Sequence, residues 1–244
     1  MSTFQLSDAG AVPWLQSLGR HSVDLVLTRL PPRRRQSDLA VATELKNARS
    51  ARNQWFAIFP NDPHPGLFEQ LYRVLKPDSH FYLFCSQEDL FVVKPLAQAA
   101  GFRFQTVLVW DQQRSRPGRH YRPQLGWICL FEKGHRPVSD PRVSNLLSYP
   151  AEDGTLPPAL IALLLEQSSA PQQLVIDPFL QGSEIAEASL TAGRRFCGAT
   201  GDPSRRETLR QDLGQLPGVT ELLTRLPPAA LPNWSQGSAQ IALL

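Results

Sequence analysis

An α/β protein built on a doubly wound sheet is predicted by two observations. Strand-like apolar runs alternate with helix-like runs along most of the chain. The strand-like runs are continuously apolar rather than alternating, as expected of a parallel-type sheet covered by helices on both faces. The 244 residues, 42% hydrophobic, suffice for one substantial core, and one domain is the simplest count.

The elements read as follows. Val23–Thr28 (VDLVLT) is a buried strand by its length and β-branching. Gly66–Leu75 (GLFEQLYRVL) places Leu67, Leu71, Val74 and Leu75 on one helical face, and Pro77 stops it. His80–Ser86 (HFYLFCS) is the next strand, and Glu88–Ala100 the next helix. Thr106–Trp110 (TVLVW) and Trp127–Glu132 (WICLFE) are the next strands. The helix Pro158–Gln167, strand Gln173–Asp177, helix Ser183–Ala192, strand Arg195–Ala199 and helix Ser204–Leu213 complete the series. The domain is expected to cover residues 1–216. The Pro-rich stretch 217–244 reads as a loosely packed tail or an interaction arm.

Two stretches break the rhythm. Residues 29–61 carry Arg29, Arg33, Arg34, Arg35, Lys46, Arg49 and Arg52 against Asp38 and Glu44, ahead of Trp55 and Phe56. Residues 112–122 carry Arg114, Arg116, Arg119, His120, Tyr121 and Arg122. Loops this long in an α/β fold are usually functional or disordered. Arginines interleaved with rings suit phosphate contact plus stacking on bases. The other reading is a solvated charged loop. The net charge of +3 fits a polyanion partner and does not demand one.

Other chemistry is thinly represented. Cys85, Cys129 and Cys197 lie far apart in apolar segments, so buried free thiols in a reducing cytosol are expected, with no metal site. His64, between Pro63 and Pro65 in a turn, reads as structural, and His21, before a strand, has no partner pattern. No phosphate-loop motif or Ser/His/Asp order appears. No charged stretch followed by an apolar one opens the chain, and the longest apolar run, Ala159–Leu165, is far below the roughly 20 residues of a membrane helix. A cytoplasmic protein with no membrane partner is expected.

Six segments, in order and spacing, carry a resemblance. Ser22–Thr28 leads into Arg29-Leu30-Pro31-Pro32. Leu71–Pro77 (LYRVLKP) precedes His80–Ser86. Val109–Asp111 and Gly118–Arg122 (GRHYR) precede Trp127–Gly134 (WICLFEKG), Asp177–Phe179 precedes Gly182, and Gly193–Gly198 (GRRFCG) follows. Over about residues 4 to 210 the chain resembles the β-type, circularly permuted, S-adenosylmethionine-dependent DNA methyltransferases that act on adenine N6 or cytosine N4. The resemblance implies a Rossmann-like doubly wound sheet of the class I methyltransferase type. It also implies a nucleic-acid cleft flanked by the two basic loops.

The same resemblance implies that the working residues are degraded. In that family an Asp-Pro-Pro-Tyr turn supplies a side-chain acceptor and a main-chain carbonyl for the amine of a flipped base, and an aromatic ring that stacks on it. Here the acceptor position is Arg29, a permanent cation with donors only, and the aromatic position is Pro32. Aligning the prolines instead gives Leu30 and Arg33. The Phe-x-Gly-x-Gly cofactor turn is Phe179-Leu180-Gln181-Gly182-Ser183, with Gly182 one place late. Thr200 stands where a carboxylate would hold the ribose, and Pro157-Pro158 where Lys-Pro would stand. Vestigial cofactor residues are Asp8, Asp177, Phe179, Gly182 and Thr200. Asp8 and Asp177 read equally well as turn or cap residues.

Three functional expectations follow. The first is a non-methylating relative that binds nucleic acid, DNA before RNA, or serves as the silent subunit beside an active relative or a second copy of itself. It expects no cofactor, and its nucleic-acid contacts are Arg29, Arg33, Arg34, Arg35, Arg116, Arg119 and Arg122. The second is an active methyltransferase using S-adenosylmethionine and an acceptor such as Asp38 or Glu44 folded back toward Arg29. The third is a protein-interaction module without a nucleic-acid role.

Overall fold

The computed structural model describes residues 2–31, 66–115, 121–151 and 154–222. Pro32, Arg33, Arg34, Arg35, Asp38, Glu44, His64, Arg116, Arg119 and His120 lie outside the described residues, as does most of the tail. Within them nine strands form one sheet: β1 (Ser2–Ser7), β2 (Val23–Arg29), β3 (Leu75–Cys85), β4 (Arg103–Asp111), β5 (Leu125–Lys133), β6 (Leu146–Ser148), β7 (Leu174–Asp177), β8 (Arg195–Ala199) and β9 (Val219–Glu221). Their order is β6-β4-β5-β3-β2-β7-β8-β1-β9. The described helices are α1 (Ala11–Ser17), α2 (Leu67–Val74), α3 (Leu90–Ala99), α4 (Pro158–Ser168), α5 (Glu184–Thr191) and α6 (Pro203–Gly214).

The sheet departs from the expected parallel type at one strand. β5 runs antiparallel to both β3 and β4. An apolar run reports burial, not direction, so WICLFE could not reveal this. The chain turns back because no helix-like segment separates β4 from β5, and a parallel return needs a long crossover. β9 corrects the boundary at residue 217: Val219–Glu221 pair with β1 and extend the sheet into the segment read as tail.

Side-chain alternation along β3 sorts the core into two layers. Tyr82 and Phe84 join the layer beneath α4 and α5, with Leu27, Ile128 and Leu164. Phe81 and Leu83 join the layer beneath α1, α2 and α3, with Phe68, Phe102 and Phe131. α2 ends at Val74 rather than at Pro77. Pro77 sits in an irregularity where the β2–β3 ladder passes from Val23–Leu75 to Leu25–His80.

Lys133, at the end of β5, secures that junction. Its buried ammonium donates to the carbonyl of Leu75 at 2.6 Å and to that of Tyr72, and lies 4.5 Å from the centre of the Tyr72 ring. These carbonyls are among the orphan acceptors at the end of α2. Lys133→Met keeps the stem and strands both carbonyls, so it should cost about 2 kcal/mol in urea-induced unfolding. An unchanged midpoint would remove this role.

Connectivity places the site. The chain starts in β1, crosses to β2, adds β3 and then β4, inserts β5 between them, adds β6 at the outer edge, and returns through α4 to β7 and β8. Adjacent β2 and β7 therefore come from distant parts of the sequence and have their next strands on opposite sides. Open α/β sheets bind ligands outside the carboxyl ends of strands at such a reversal point. No described helix is long and apolar enough to cross a membrane.

Candidate functional site

The parallel strands β1, β8, β7, β2 and β3 bring Ser7, Ala199, Asp177, Arg29 and Cys85 to one edge of the sheet. A cavity of about 200 Å³ opens there, lined by Arg29, Leu156, Asp177, Gln181, Gly182, Glu184 and Ile185. Most of this lining lies in segments that the sequence already marked: Arg29 in the first motif, and Asp177, Gln181, Gly182 and Glu184 at or just after the second.

Hydrogen bonds tie the two halves together across the reversal point. The Thr28 hydroxyl, at the end of β2, donates to Asp177 Oδ1, at the end of β7. The same oxygen accepts from the Phe179 N–H at 3.0 Å, so Asp177 does start the turn, and does more. Both Thr28 and Asp177 are buried. Burial pushes the Asp177 carboxyl up to about 7, and the repulsion of Glu184 adds to this. The hydrogen bonds from Thr28 and Phe179 and the charge of Arg29 oppose the rise.

Arg29 makes a second and a third tie. Its main-chain carbonyl accepts from Gln181 Nε2 at 2.8 Å. Its guanidinium donates to the Gly154 carbonyl at 3.1 Å, ahead of α4. The half-buried Gln181, at the position where a glycine was expected, thus spans the cavity instead of leaving it open. A methyl group on Gly182 would run into the Glu184 carboxylate, so that acid reaches back over the turn and into the cavity.

The remaining candidates separate clearly. Leu30 is buried in the core and its N–H donates to the Phe84 carbonyl at 3.0 Å, so aligning the prolines would put a core residue in the acceptor position. Pro31 is half-buried beside it. Thr200 turns inward on its own loop, donating to the Asp202 carbonyl at 2.7 Å and accepting from the Asp202 N–H at 3.0 Å. Asp202 in turn caps α6 through Ser204 N–H at 2.9 Å and Arg205 N–H. Asp8 is exposed just past β1. It is the central residue of a turn closed by Ser7 Oγ, which accepts from Ala9 N–H at 3.2 Å, and the N-cap of α1 is Gly10 rather than Asp8.

The second basic loop rises from a braced base at the same edge. Gln112 N–H donates to the Gln124 carbonyl at 3.0 Å. Asp111 Oδ1 accepts from Gln124 Nε2 at 2.7 Å and from Gln113 N–H at 2.9 Å. The Gln124 bond first, then the Gln113 bond, hold the Asp111 carboxyl below its usual range. Above this base Arg114, Tyr121 and Arg122 are exposed, Tyr121 at 91%. Cys129 and Cys197 are buried as expected, but Cys85 is half-buried and its Sγ lies 3.9 Å from that of Cys129.

Sequence reasoning missed Thr28, Gly154, Leu156 and Glu184. Thr28 gave one signal, a polar residue closing a buried strand. Glu184 gave another, an acid in the first turn of a helix directly after the degraded glycine turn. Gly154 and Leu156 gave none.

No family model matches the chain, and no curated protein matches its sequence. Solved structures do match it. TTHA0409 of Thermus thermophilus, assigned as a DNA modification methylase, is 18% identical with a TM-score of 0.65, over 91% of this chain and 100% of that one. M1.HpyAVI in complex with SAM is 16% identical with a TM-score of 0.62, over 86% and 98%. The cytosine-N4-specific PvuII DNA methyltransferase is 15% identical with a TM-score of 0.66, over 86% of each chain. The fold is therefore the class I methyltransferase fold, in the circularly permuted order that begins in one half of the sheet and returns to it.

Proposed function

We propose that this chain is a methyltransferase-fold protein that does not itself transfer methyl groups and that engages nucleic acid, DNA before RNA, through its basic loops. It acts alone or as the silent subunit beside an active relative or a second copy. The observation that supports this most directly is Arg29. At the end of β2 the reaction requires acceptors; Arg29 offers a donor side chain, and its own carbonyl is occupied by Gln181. The residues at the reversal point do not fit S-adenosylmethionine. Gln181 spans the cavity, Arg29 would repel a sulfonium, and Thr200 is closed onto Asp202 where a carboxylate is needed for the ribose. No cofactor is expected.

Exposed Tyr121 between the exposed Arg114 and Arg122 favours nucleic acid as the partner. Arginine contacts to phosphate release counterions, so binding to a short DNA duplex should weaken steeply as salt rises. Arg122→Ala should reduce the slope of log affinity against log salt by about 1. Fluorescence anisotropy at several salt concentrations, with an RNA duplex in parallel, measures both. A salt-independent affinity, or none at low salt, would remove the nucleic-acid role.

The second reading, an active enzyme with an atypical site, has one observation in its favour. The Glu184 carboxylate lines the same cavity as Arg29 and would be its acceptor. Incorporation of a labelled methyl group into DNA decides between the two. The first reading expects none, and incorporation lost in Glu184→Gln would establish the second.

A further inference from the structure

A second cavity, of about 160 Å³, lies away from the reversal point, in the same layer beneath α4 but toward the β4 and β6 end of the sheet. Its walls are Tyr82 from β3, Leu108 from β4, Leu130 from β5, Leu147 from β6, and Leu163 and Leu164 from α4. A lid over residues 138–145 borders its mouth, presenting Val138 and Val143. The lid is fastened at both ends. Ser139 N–H donates to the Gln167 carbonyl at 3.0 Å, and Asp140 N–H donates to the Gln167 side chain at 2.9 Å. At the other end the Asn145 carbonyl accepts from Val109 N–H at 2.7 Å. An engineered cavity of about 150 Å³ with aliphatic and aromatic walls stays dry and takes up benzene. This one is similar in size, and most of its wall is likewise apolar.

The wall also carries polar residues, Thr106, Asp140, Ser144, Asn145, Gln167 and Tyr82, and of these Tyr82 adds a chemical requirement set by the histidine behind it. Burial lowers the pKa of His80 and keeps the ring neutral. Its Nε2 lies 2.8 Å from the Arg136 carbonyl, so Nε2 carries the proton and donates there. Nδ1 must then accept the Ser168 hydroxyl proton, at 2.6 Å. Ser168 has no second proton, so the Tyr82 hydroxyl donates to Ser168 Oγ, at 2.7 Å. The relay runs one way, from Tyr82 through Ser168 and His80 to Arg136. It leaves the Tyr82 oxygen as an acceptor whose only proton is already used.

We propose that this cavity is a binding site for a small single-ring aromatic molecule that carries one O–H or N–H donor, met by Tyr82. The site is independent of any methyltransferase activity. It is built from the lid and α4, and the same stretch of chain continues through β6 to Gly154 and Leu156 at the first cavity.

Phenol and benzene are the probes, read by thermal shift and by saturation-transfer NMR on the full chain. Phenol at ten times its Kd should raise the melting temperature by about 3 °C. It should bind about fivefold tighter than benzene, the gain of one net hydrogen bond. Tyr82→Phe should erase that fivefold preference and keep the benzene response. Leu163→Phe fills the cavity and should abolish both responses; Val143→Trp, from the half-exposed lid, is the second filling variant should the first fail to fold. Absence of any response from the native chain overturns the proposal. So does a response that survives filling, or a preference for phenol that survives Tyr82→Phe.

Discussion

Raising the pH from 4 to 8 should destabilise the native chain relative to its Asp177→Asn variant by about 4 kcal/mol. The reason is the burial of Asp177 at the junction of β2 and β7, which raises its carboxyl from 3.8 to about 7. The folded chain therefore keeps this proton up to near pH 7, while the unfolded chain releases it near pH 4. Between those values the folded state binds more protons, so stability falls as pH rises, and above pH 7 the loss is complete. Asparagine retains the oxygen that accepts from Thr28 and Phe179 but cannot ionise. Its amide N–H groups need a partner, which costs the variant a constant amount at every pH. The difference between the two pH profiles is thus the quantity to read, from urea unfolding at each pH. Parallel profiles would mean that Asp177 is ionised in the fold, with Arg29 overcoming the burial.

Phe81→Ala should cost 3–5 kcal/mol, roughly the range for a large buried ring replaced by alanine. Phe81 is fully buried among other aromatic rings. It stacks on Phe131 at 5.4 Å and meets Phe102 at 5.5 Å and Phe68 at 6.3 Å, which joins β3 to β5, the turn after α3, and α2. The neighbouring rings are anchored on separate segments and cannot collapse together into the void. Phe84→Ala, by contrast, removes a ring with an edge contact to Trp110 in the other layer, at 6.4 Å. The two variants should differ in their effect on the β3–β5 pairing, measurable as amide exchange along β5. A cost below about 1 kcal/mol for Phe81→Ala would show that the layer repacks.

The elements legible in the sequence were those whose burial is written in their own residues. VDLVLT, QLVID and RFCGA gave β2, β7 and β8 because each is a short apolar run packed on both faces. The edges were not legible. β1 (STFQLS) buries only alternate positions, and β6 and β9 are three residues long and exist because a neighbour pairs with them. α1 is seven residues with a proline inside, too short to show a period. β4 was read three residues late because Arg103 and Gln105 are exposed on that strand. At the site, Arg29, Asp177, Gln181 and Gly182 were found by their order along the chain. The ties that assemble the site, Thr28 to Asp177 and Arg29 to Gln181, span 149 and 152 residues and carry no local signature. The same holds for Glu184, whose place over Gly182 depends on how the turn closes.

The measurement that bears most directly on the reading of this site is calorimetric titration of S-adenosylmethionine into the purified chain, from high-micromolar to millimolar ligand. A cavity spanned by Gln181, faced by Arg29 and lacking a ribose carboxylate predicts no heat beyond dilution. Clear one-to-one binding would contradict it: the turn at Gln181–Ser183 would then have to open for the cofactor, and methyl transfer to DNA would be the next reaction to assay.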